Sequence, residues 1–238
     1  MTDLEKFTQL PPDFDGQVRL FPLPDLVVFP NSMQPLHIFE PRYCELLADS
    51  LASDRLIAMA TLRPSWHAPL ADAPPLAPHV CICRIVSHSP AEDDRHNVLL
   101  VGLRRGQIIA EVQCSRPYRI ARVEPLEDLY PVIAGAARLK LKRKLLDAFR
   151  RLIPDVAEVQ KNLHDLMASQ MPLGPITDII SFTLQFPSEI KLQLLGQTNV
   201  DLRAQALIEA LQDRHQATAS TEAAPVKPAP FPPPFSLN

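Results

Sequence analysis

The sequence predicts an α+β protein in which a small β-barrel is followed by a C-terminal α-helical bundle. From Val18 to about Glu127, short runs rich in Val, Ile and Leu are separated by prolines and polar turns, which is typical of short strands. From about Pro131 onward, apolar residues recur at the spacing of an amphipathic helix. Because the two patterns occupy separate stretches of chain, we expect strands and helices in separate layers.

The predicted strands are short apolar runs, several of which alternate with polar residues. They cover residues 19–23, 25–29, 35–39, 56–62, 79–86, 96–103, 106–114 and 118–126. The runs on either side of Arg104, Arg105 and Gly106 lie so close together that a hairpin with these residues at a solvated tip is expected. One helix at about 41–52 interrupts the strands, because Pro41 suits a first helical turn and leucines follow at helical spacing.

The second part of the chain contains successive apolar stripes at helical spacing. They cover residues 139–152, 156–166, 176–184, 190–195 and 202–211. Pro154 is expected to end the first helix, Ser188 to cap the fourth, and Gly196 to terminate it.

These patterns divide the chain into four parts. Residues 1–16 are predicted to be a flexible lead, 17–130 the barrel, 131–214 the bundle and 215–238 a disordered tail. The tail holds six prolines between Pro225 and Pro234 and has almost nothing to bury. Its Phe231 and Phe235 suit either short anchors for a partner or a solvated segment.

The composition restricts the classes of function. The 238 residues carry 24 Lys and Arg against 27 Asp and Glu, a net charge of −3, so nucleic acid is not expected as a partner. A phosphate-binding loop is not expected either, because the 6 glycines form no G-x-x-x-x-G-K-[ST] motif. The sequence has no apolar run of membrane-spanning length and no signal peptide. Four cysteines suit free thiols, and a cytoplasmic location is expected.

The segment 18–63, with the block FPNSMQPLHIFEPRY inside it, resembles the start of the Lon protease substrate-binding (N-terminal) domain. The matching positions are Leu23, Phe29, Pro30, Pro35, Leu36, Ile38, Phe39, Glu40, Pro41, Arg42 and Tyr43. Similarity continues through CICRIV, VLLVGLRRGQI and YRIARVEPLED into the last helices, and so covers roughly residues 18–214. Asn31 stands where this family often has glycine, and asparagine tolerates the positive φ that such a turn requires.

The resemblance implies a PUA-like β-pseudobarrel followed by a helical bundle. It also implies binding of unfolded or specific protein and peptide segments, which in full-length Lon proteases are passed to ATPase and protease modules. Those modules are expected to be missing here, so the chain is expected to be no enzyme and to need no cofactor. An adaptor or a holdase-like binder is the expected role, with no membrane partner.

A binder of unfolded protein needs exposed apolar side chains that do not belong to a periodic stripe. The candidates are Phe29, Pro30 and Met33 in the turn FPNSMQP, and Trp66 in the inserted loop 63–79. Each of them could equally cap the barrel.

The family motif residues Phe39, Glu40, Pro41, Arg42 and Tyr43 are expected to be structural. Glu40 sits where a carboxylate favours a helix N-terminus. Arg42 and Tyr43 are expected to tie the helix to the barrel, and no nucleophile with its base lies nearby in sequence.

Two other sites are conceivable. His79, Cys81 and Cys83 alternate along a predicted strand and so share one face, where His88 or His96 could complete a zinc site. A packed barrel strand explains the same pattern, since cysteine is often a small buried apolar residue.

The other conceivable site is a basic stretch in the first bundle helix, residues 138–151. Its basic residues are Arg138, Lys140, Lys142, Arg143, Lys144, Arg150 and Arg151. They suit binding of an acidic partner, binding of RNA, as in PUA-like proteins, or a solvated helix face.

Overall fold

A computed structural model describes residues 9–63, 74–132, 135–152, 170–220 and 236–237. Its strands are β1 Gln17–Leu23, β2 Met33–Ile38, β3 Leu56–Thr61, β4 His79–Pro90, β5 His96–Val112, β6 Ile120–Leu126 and β7 Ser236–Leu237. Its helices are α1 Pro41–Leu51, α2 Gly135–Arg150, α3 Leu173–Thr183, α4 Ser188–Gly196 and α5 Val200–Ser220. The predicted α+β class is confirmed.

Five strands close into a ring in the order β4-β3-β1-β6-β5, and β4 pairs with β5 to complete it. All pairs in this ring are antiparallel except β1 with β3. Strand β2 pairs with residues 96–101 of β5, and β6 pairs with residues 105–112 of the same strand. Strand β2 therefore stands outside the closed ring, next to the first half of β5.

Both faces of the curved sheet are buried at β3, which explains why β3 has no polar face. Ile57 and Met59 belong to one apolar cluster, which also contains the buried side chains of α1. Leu56, Ala58 and Ala60 belong to a second cluster on the other face of the sheet. Because successive side chains of a strand point to opposite faces, a strand buried on both faces is an apolar run rather than an alternating one.

A third apolar cluster lies between the helices and extends into the loop that joins β1 to β2. Helices α2, α3, α4 and α5 supply most of it, and Val27 and Phe29 supply the rest. Val28, between them, points into the barrel cluster instead. The predicted strand 25–29 is therefore wrong: its alternating residues fill two cores, and the segment is a loop.

The predicted hairpin at Arg104, Arg105 and Gly106 is also wrong, because β5 runs through these residues as one strand of 17 residues. The turn lies instead between β4 and β5, where Asp93 and Asp94 have φ values of 56° and 54°. Gly106 serves close packing rather than a turn, because a Cβ at this position would overlap the side chain of Val123.

Gly102 has a related role, which fixes the start of β2. Its amide donates to the carbonyl of Ser32 (2.9 Å), and its carbonyl accepts from the amide of Asn31 (2.9 Å). A Cβ at Gly102 would overlap the carbonyl oxygen of Phe29. Asn31 has a φ of 61°, so the expectation that asparagine supports this turn is confirmed.

The C-terminal part departs from the predicted boundaries. Helix α5 continues to Ser220, past the predicted start of the tail at residue 215. The sequence places no helix-breaking proline before Pro225. Ser236–Leu237 form a short strand, which corrects the prediction of disorder for these two residues. The predicted lead before residue 9, the helix at 156–166 and the tail residues 221–235 lie outside the described residues. Ser188 is the first residue of α4 rather than its cap.

No helix in the described part of the chain combines the length and the apolar character that crossing a membrane requires.

A buried network of charged side chains joins the barrel to the helices. Arg105 of β5 is 2% exposed and donates to Asp178 of α3 (2.6 Å), to Asp128 and to the carbonyl of Leu195 (3.0 Å). Arg203 of α5, with no exposed surface, donates to both carboxylate oxygens of Asp128 (3.0 and 2.8 Å). These contacts correct the prediction that Arg105 lies at a solvated tip.

Two further N–H groups of Arg203 donate as well. They reach Thr177 (2.8 Å) and the carbonyl of Gln197 (2.7 Å). Buried charges persist only when each has partners, so barrel and helices fit together in the arrangement that supplies all of these contacts.

We expect Arg105→Ala to lower the free energy of unfolding by about 3–5 kcal/mol, because it leaves Asp178 buried with one partner fewer. Arg104→Ala is the matched control: Arg104 pairs with Glu127, whose side chain is 70% exposed, and such a pair contributes about 1 kcal/mol or less. Urea unfolding of both variants measures the difference. Equal losses in the two variants would contradict the importance of the network.

Burial raises the pKa of Asp178 to about 6 from an ordinary value of 3.8, because desolvation outweighs the opposing effect of Arg105 and Arg203. The folded chain then binds this proton more tightly than the unfolded chain. The stabilisation from Asp178 is therefore fully present below pH 4 and is lost as the pH rises through 6.

We expect the free energy of unfolding of the wild type, minus that of Asp178→Asn, to fall by up to about 3 kcal/mol between pH 4 and pH 7. The subtraction removes the contribution of the other carboxylates to the pH dependence, because they titrate in both proteins. Urea unfolding at several pH values gives the two curves, and a difference that rises with pH would contradict this assignment.

Candidate functional site

The structure separates the four predicted peptide-binding residues. Phe29 has no exposed surface and packs between the helices, and Pro30 is buried beside it. Neither residue therefore has the exposed apolar surface that the sequence analysis assigned to it, because Phe29 packs into the helical core and Pro30 is buried. Met33 is 42% exposed. Trp66 lies outside the described residues.

Met33 begins the outward face of β2, and Phe39 follows directly after this strand. Phe39 is 43% exposed, although the sequence assigned it a structural role. The ring of His37 lies between the two positions, 6.3 Å from the ring of Phe39, and its Nδ1 is 2.8 Å from Oδ1 of Asn97. Alternation along the strand places Met33, His37 and Phe39 on one face. Sequence analysis could have found Phe39 from this spacing of two.

The backbone of β2 pairs with β5 along one edge. Along the opposite edge, its partner within the described residues is Ser236–Leu237. Pro35 has no N–H to donate, and prolines inside strands occur at sheet edges. Gln34 donates to the carbonyl of Pro35 (2.6 Å), which leaves the backbone of Leu36–Ile38 as the pairing segment of this outer edge. We call this edge, with the side chains of Met33, His37 and Phe39, the β2 surface.

The residues that follow the β2 surface hold α1 against the barrel. The ring of Tyr43 stacks on Phe21 at 4.3 Å, and its hydroxyl donates to the carbonyl of Pro22 (3.4 Å). Burial raises the pKa of Tyr43. Arg42 lies 4.5 Å above the Tyr43 ring and pairs with Glu40 at 2.7 Å. Tyr43 thus contacts β1 from α1, and Glu40 and Pro41 stand at the start of this helix.

The zinc hypothesis is not supported by the arrangement of its residues. Cys81 and Cys83 share a face, as predicted, but both are buried in a barrel cluster. Burial raises the pKa of the Cys81 thiol, which disfavours the thiolate that zinc binds. The described residues contain no group of three or more His, Cys, Asp or Glu side chains that could hold a metal.

His79 belongs to a groove of about 460 Å³ between the barrel and α4. Its ring lies against Gly196, where a Cβ would meet the ring at 2.5 Å. Desolvation lowers the pKa of His79, so its neutral form is favoured. Leu192 and Arg63 also line the groove.

The basic residues of α2 are partly committed to contacts within the chain. Arg138 pairs with Asp201 at 2.9 Å and donates to the carbonyl of Pro131 at 2.6 Å. Lys142 donates to the carbonyl of Met171 at 3.1 Å. The others described (Lys140, Arg143, Lys144, Arg150 and Arg151) are exposed.

A second group of exposed apolar side chains lies where the linker after β6, described over residues 127–132, meets α2 and α5. Its members are Leu129, Tyr130, Val132, Leu139 and Leu202. Arg138 connects them, because it lies 5.4 Å from the Tyr130 ring and pairs with Asp201, the neighbour of Leu202. This group resembles the β2 surface in apolar character, but its backbone belongs to helices and a linker. Among the residues described, the β2 surface combines apolar side chains with strand backbone at an edge. The end of β5 does so too, because Ile109 and Val112 are exposed there and β4 pairs with β5 only as far as Gln107.

Comparison with known proteins agrees with this architecture. The sequence profile of the ATP-dependent protease La (LON) substrate-binding domain matches residues 17–213. The chain is 25% identical to a Lon protease of Anaeromyxobacter dehalogenans over 207 residues, and 27% identical to one of Dictyoglomus thermophilum over 197 residues. These matches cover 86% and 81% of the chain but 24% of each relative, so the chain spans about a quarter of their length.

Two solved structures have a similar fold. The N-terminal domain of Mycobacterium avium complex Lon protease gives a TM-score of 0.61 at 19% identity, covering 83% of this chain and 98% of that one. A Lon N-terminal domain protein from Xanthomonas campestris gives a TM-score of 0.58 at 19% identity, covering 81% and 97%. With a family profile matched over residues 17–213, the chain belongs to the Lon substrate-binding domain family.

Proposed function

We propose that this chain is a non-catalytic module that binds extended segments of other proteins at the β2 surface. The observation that carries the proposal is the outer edge of β2, where strand backbone lies between two exposed apolar side chains, Met33 and Phe39. An extended polypeptide can add to such an edge as a further strand.

The geometry suits unfolded rather than folded partners. The six residue steps from Met33 to Phe39 span about 20 Å of strand, which is the length of a short extended segment. Backbone hydrogen bonds supply affinity for any extended sequence, and the two apolar side chains favour segments with apolar residues. Folded proteins present few unpaired extended segments, since their own sheets use them.

The family supports a substrate-binding role, because the matching profile is that of a substrate-binding domain. Within that role, we propose an adaptor or holdase-like binder rather than an enzyme. The ring of strands with β2 attached outside it supports the PUA-like pseudobarrel that the family resemblance implies. The free thiols of Cys44, Cys81, Cys83 and Cys114 suit the proposed cytoplasmic location.

RNA binding through the exposed basic residues of α2 is the alternative. The two functions differ in their dependence on salt. Phosphate contacts release counterions, so RNA affinity would fall steeply with salt, whereas apolar and backbone contacts to a polypeptide respond weakly.

We expect the double variant Met33→Ser, Phe39→Ser to bind an unfolded polypeptide at least about tenfold more weakly than the wild type, because it removes both apolar contacts. The probe is a reduced and alkylated polypeptide, labelled for fluorescence anisotropy at two salt concentrations. The matched control is Ile109→Ser, Val112→Ser, which changes two exposed apolar residues (55% and 38%) at the far end of β5. The control is expected to bind like the wild type.

Three other outcomes would contradict the proposed site or the proposed function. Equal losses in the two double variants would show non-specific apolar binding. If polypeptide binding were lost in the double variant Leu139→Ser, Leu202→Ser and kept in Met33→Ser, Phe39→Ser, the binding site would be the second apolar group, where the linker meets α2 and α5. Saturable binding of a single-stranded RNA with a steep salt dependence, and none of the polypeptide, would favour the alternative.

A further inference from the structure

We propose that residues 236–237 of the chain itself occupy the outer edge of β2, so that external segments bind there by displacing them. This inference rests on the proposed function, because it concerns the regulation of the same surface. The proposed function concerns segments of other proteins, whereas this inference concerns a segment of the chain itself.

The backbone pairing is the first observation. Ser236 lies opposite Leu36 and Leu237 lies opposite His37, in parallel orientation. Leu36 and His37 stand in the middle of the edge, between Met33 and Phe39. A segment paired here blocks the backbone groups that an incoming strand requires.

The sequence before the strand explains why the pairing is short. Proline has no N–H, so the run Pro232–Pro234 offers no donors to a neighbouring strand. Phe235, Ser236 and Leu237 are the first consecutive residues after this run that carry N–H groups. Two paired residues make few hydrogen bonds, each contributing modestly, so the segment can be displaced.

The length of the connection permits the pairing. Helix α5 ends at Ser220, and residues 221–235 join it to the strand. Fifteen residues of extended chain reach up to about 50 Å, which is more than the diameter of a small domain. A tether of this kind holds the segment at an effective concentration on the order of millimolar. A segment whose intrinsic dissociation constant lies between about 1 mM and about 0.1 mM then occupies the edge between about half and about nine-tenths of the time. It weakens external binding by about two- to tenfold.

The test compares Ser236→Pro, Leu237→Pro with Ser236→Ala, Leu237→Ala in the full chain. Prolines remove the two N–H groups, whereas alanines keep them, so only the first variant loses backbone pairing. The first measurement is amide hydrogen exchange at Leu36–Ile38, made without any ligand. We expect severalfold faster exchange in the proline variant and wild-type exchange in the alanine variant.

The second measurement is the affinity for the reduced and alkylated polypeptide. We expect the proline variant to bind about two- to tenfold more tightly than the wild type, and the alanine variant to bind like the wild type. A synthetic peptide of residues 231–238, FPPPFSLN, is expected to bind the proline variant and to compete with the polypeptide.

The outcomes separate the two proposals. Unchanged exchange in the proline variant would overturn occupancy of the edge by residues 236–237. Faster exchange with unchanged polypeptide affinity would overturn displacement, because the polypeptide would bind elsewhere. Faster exchange, with no polypeptide bound by any variant, would support occupancy and overturn the proposed function.

Discussion

The arrangement of the molecule depends on the buried charges of Arg105, Arg203, Asp128 and Asp178. Burying such groups is costly unless every one of them has partners, and here the partners come from β5, the linker, α3 and α5. Apolar contacts between the barrel and the helices tolerate sliding, whereas these hydrogen bonds do not. The network therefore contributes specificity of docking rather than a large net stabilisation, which would explain buried charge where apolar side chains would fit.

The fixed docking of the two layers determines where β2 lies. The loop before it sends Val27 and Phe29 into the helical core and Val28 into the barrel, so its path depends on both layers at once. The turn before β2 then packs so closely against Gly102 that a side chain at this position would clash with the backbone of Phe29. As a result β2 pairs with only the first half of β5 and keeps its other edge outside the ring. The proposed binding edge is thus a consequence of how the layers join.

The sequence predicted what local pattern controls and failed where tertiary packing decides. Runs such as 56–62 and the spacing after Pro41 identified β3 and α1, because apolar period and proline position act locally. The run 25–29 was predicted to be a strand, but it is a loop. Its successive side chains pack alternately into the helical core and the barrel core, and this gives the same period of two as a strand. Gly106 predicted a turn, since a glycine needed for close packing looks the same in sequence as one needed for positive φ. Asp178, a carboxylate inside the apolar stripe of α3, was the available sign of the buried network.

An open strand edge flanked by apolar side chains is a hazard for any protein, because it pairs with other open edges. Proteins usually protect such edges with charge, a bulge or a permanent cover. The β2 edge carries Pro35 at one end of its pairing segment, but Met33 and Phe39 are apolar and exposed, so this protection is incomplete. A permanent cover would abolish binding, and no cover would invite aggregation. A short strand that follows a run of prolines and is joined to the chain by fifteen residues meets both needs. It covers the edge when no external segment is bound, and a segment that pairs over more residues can displace it.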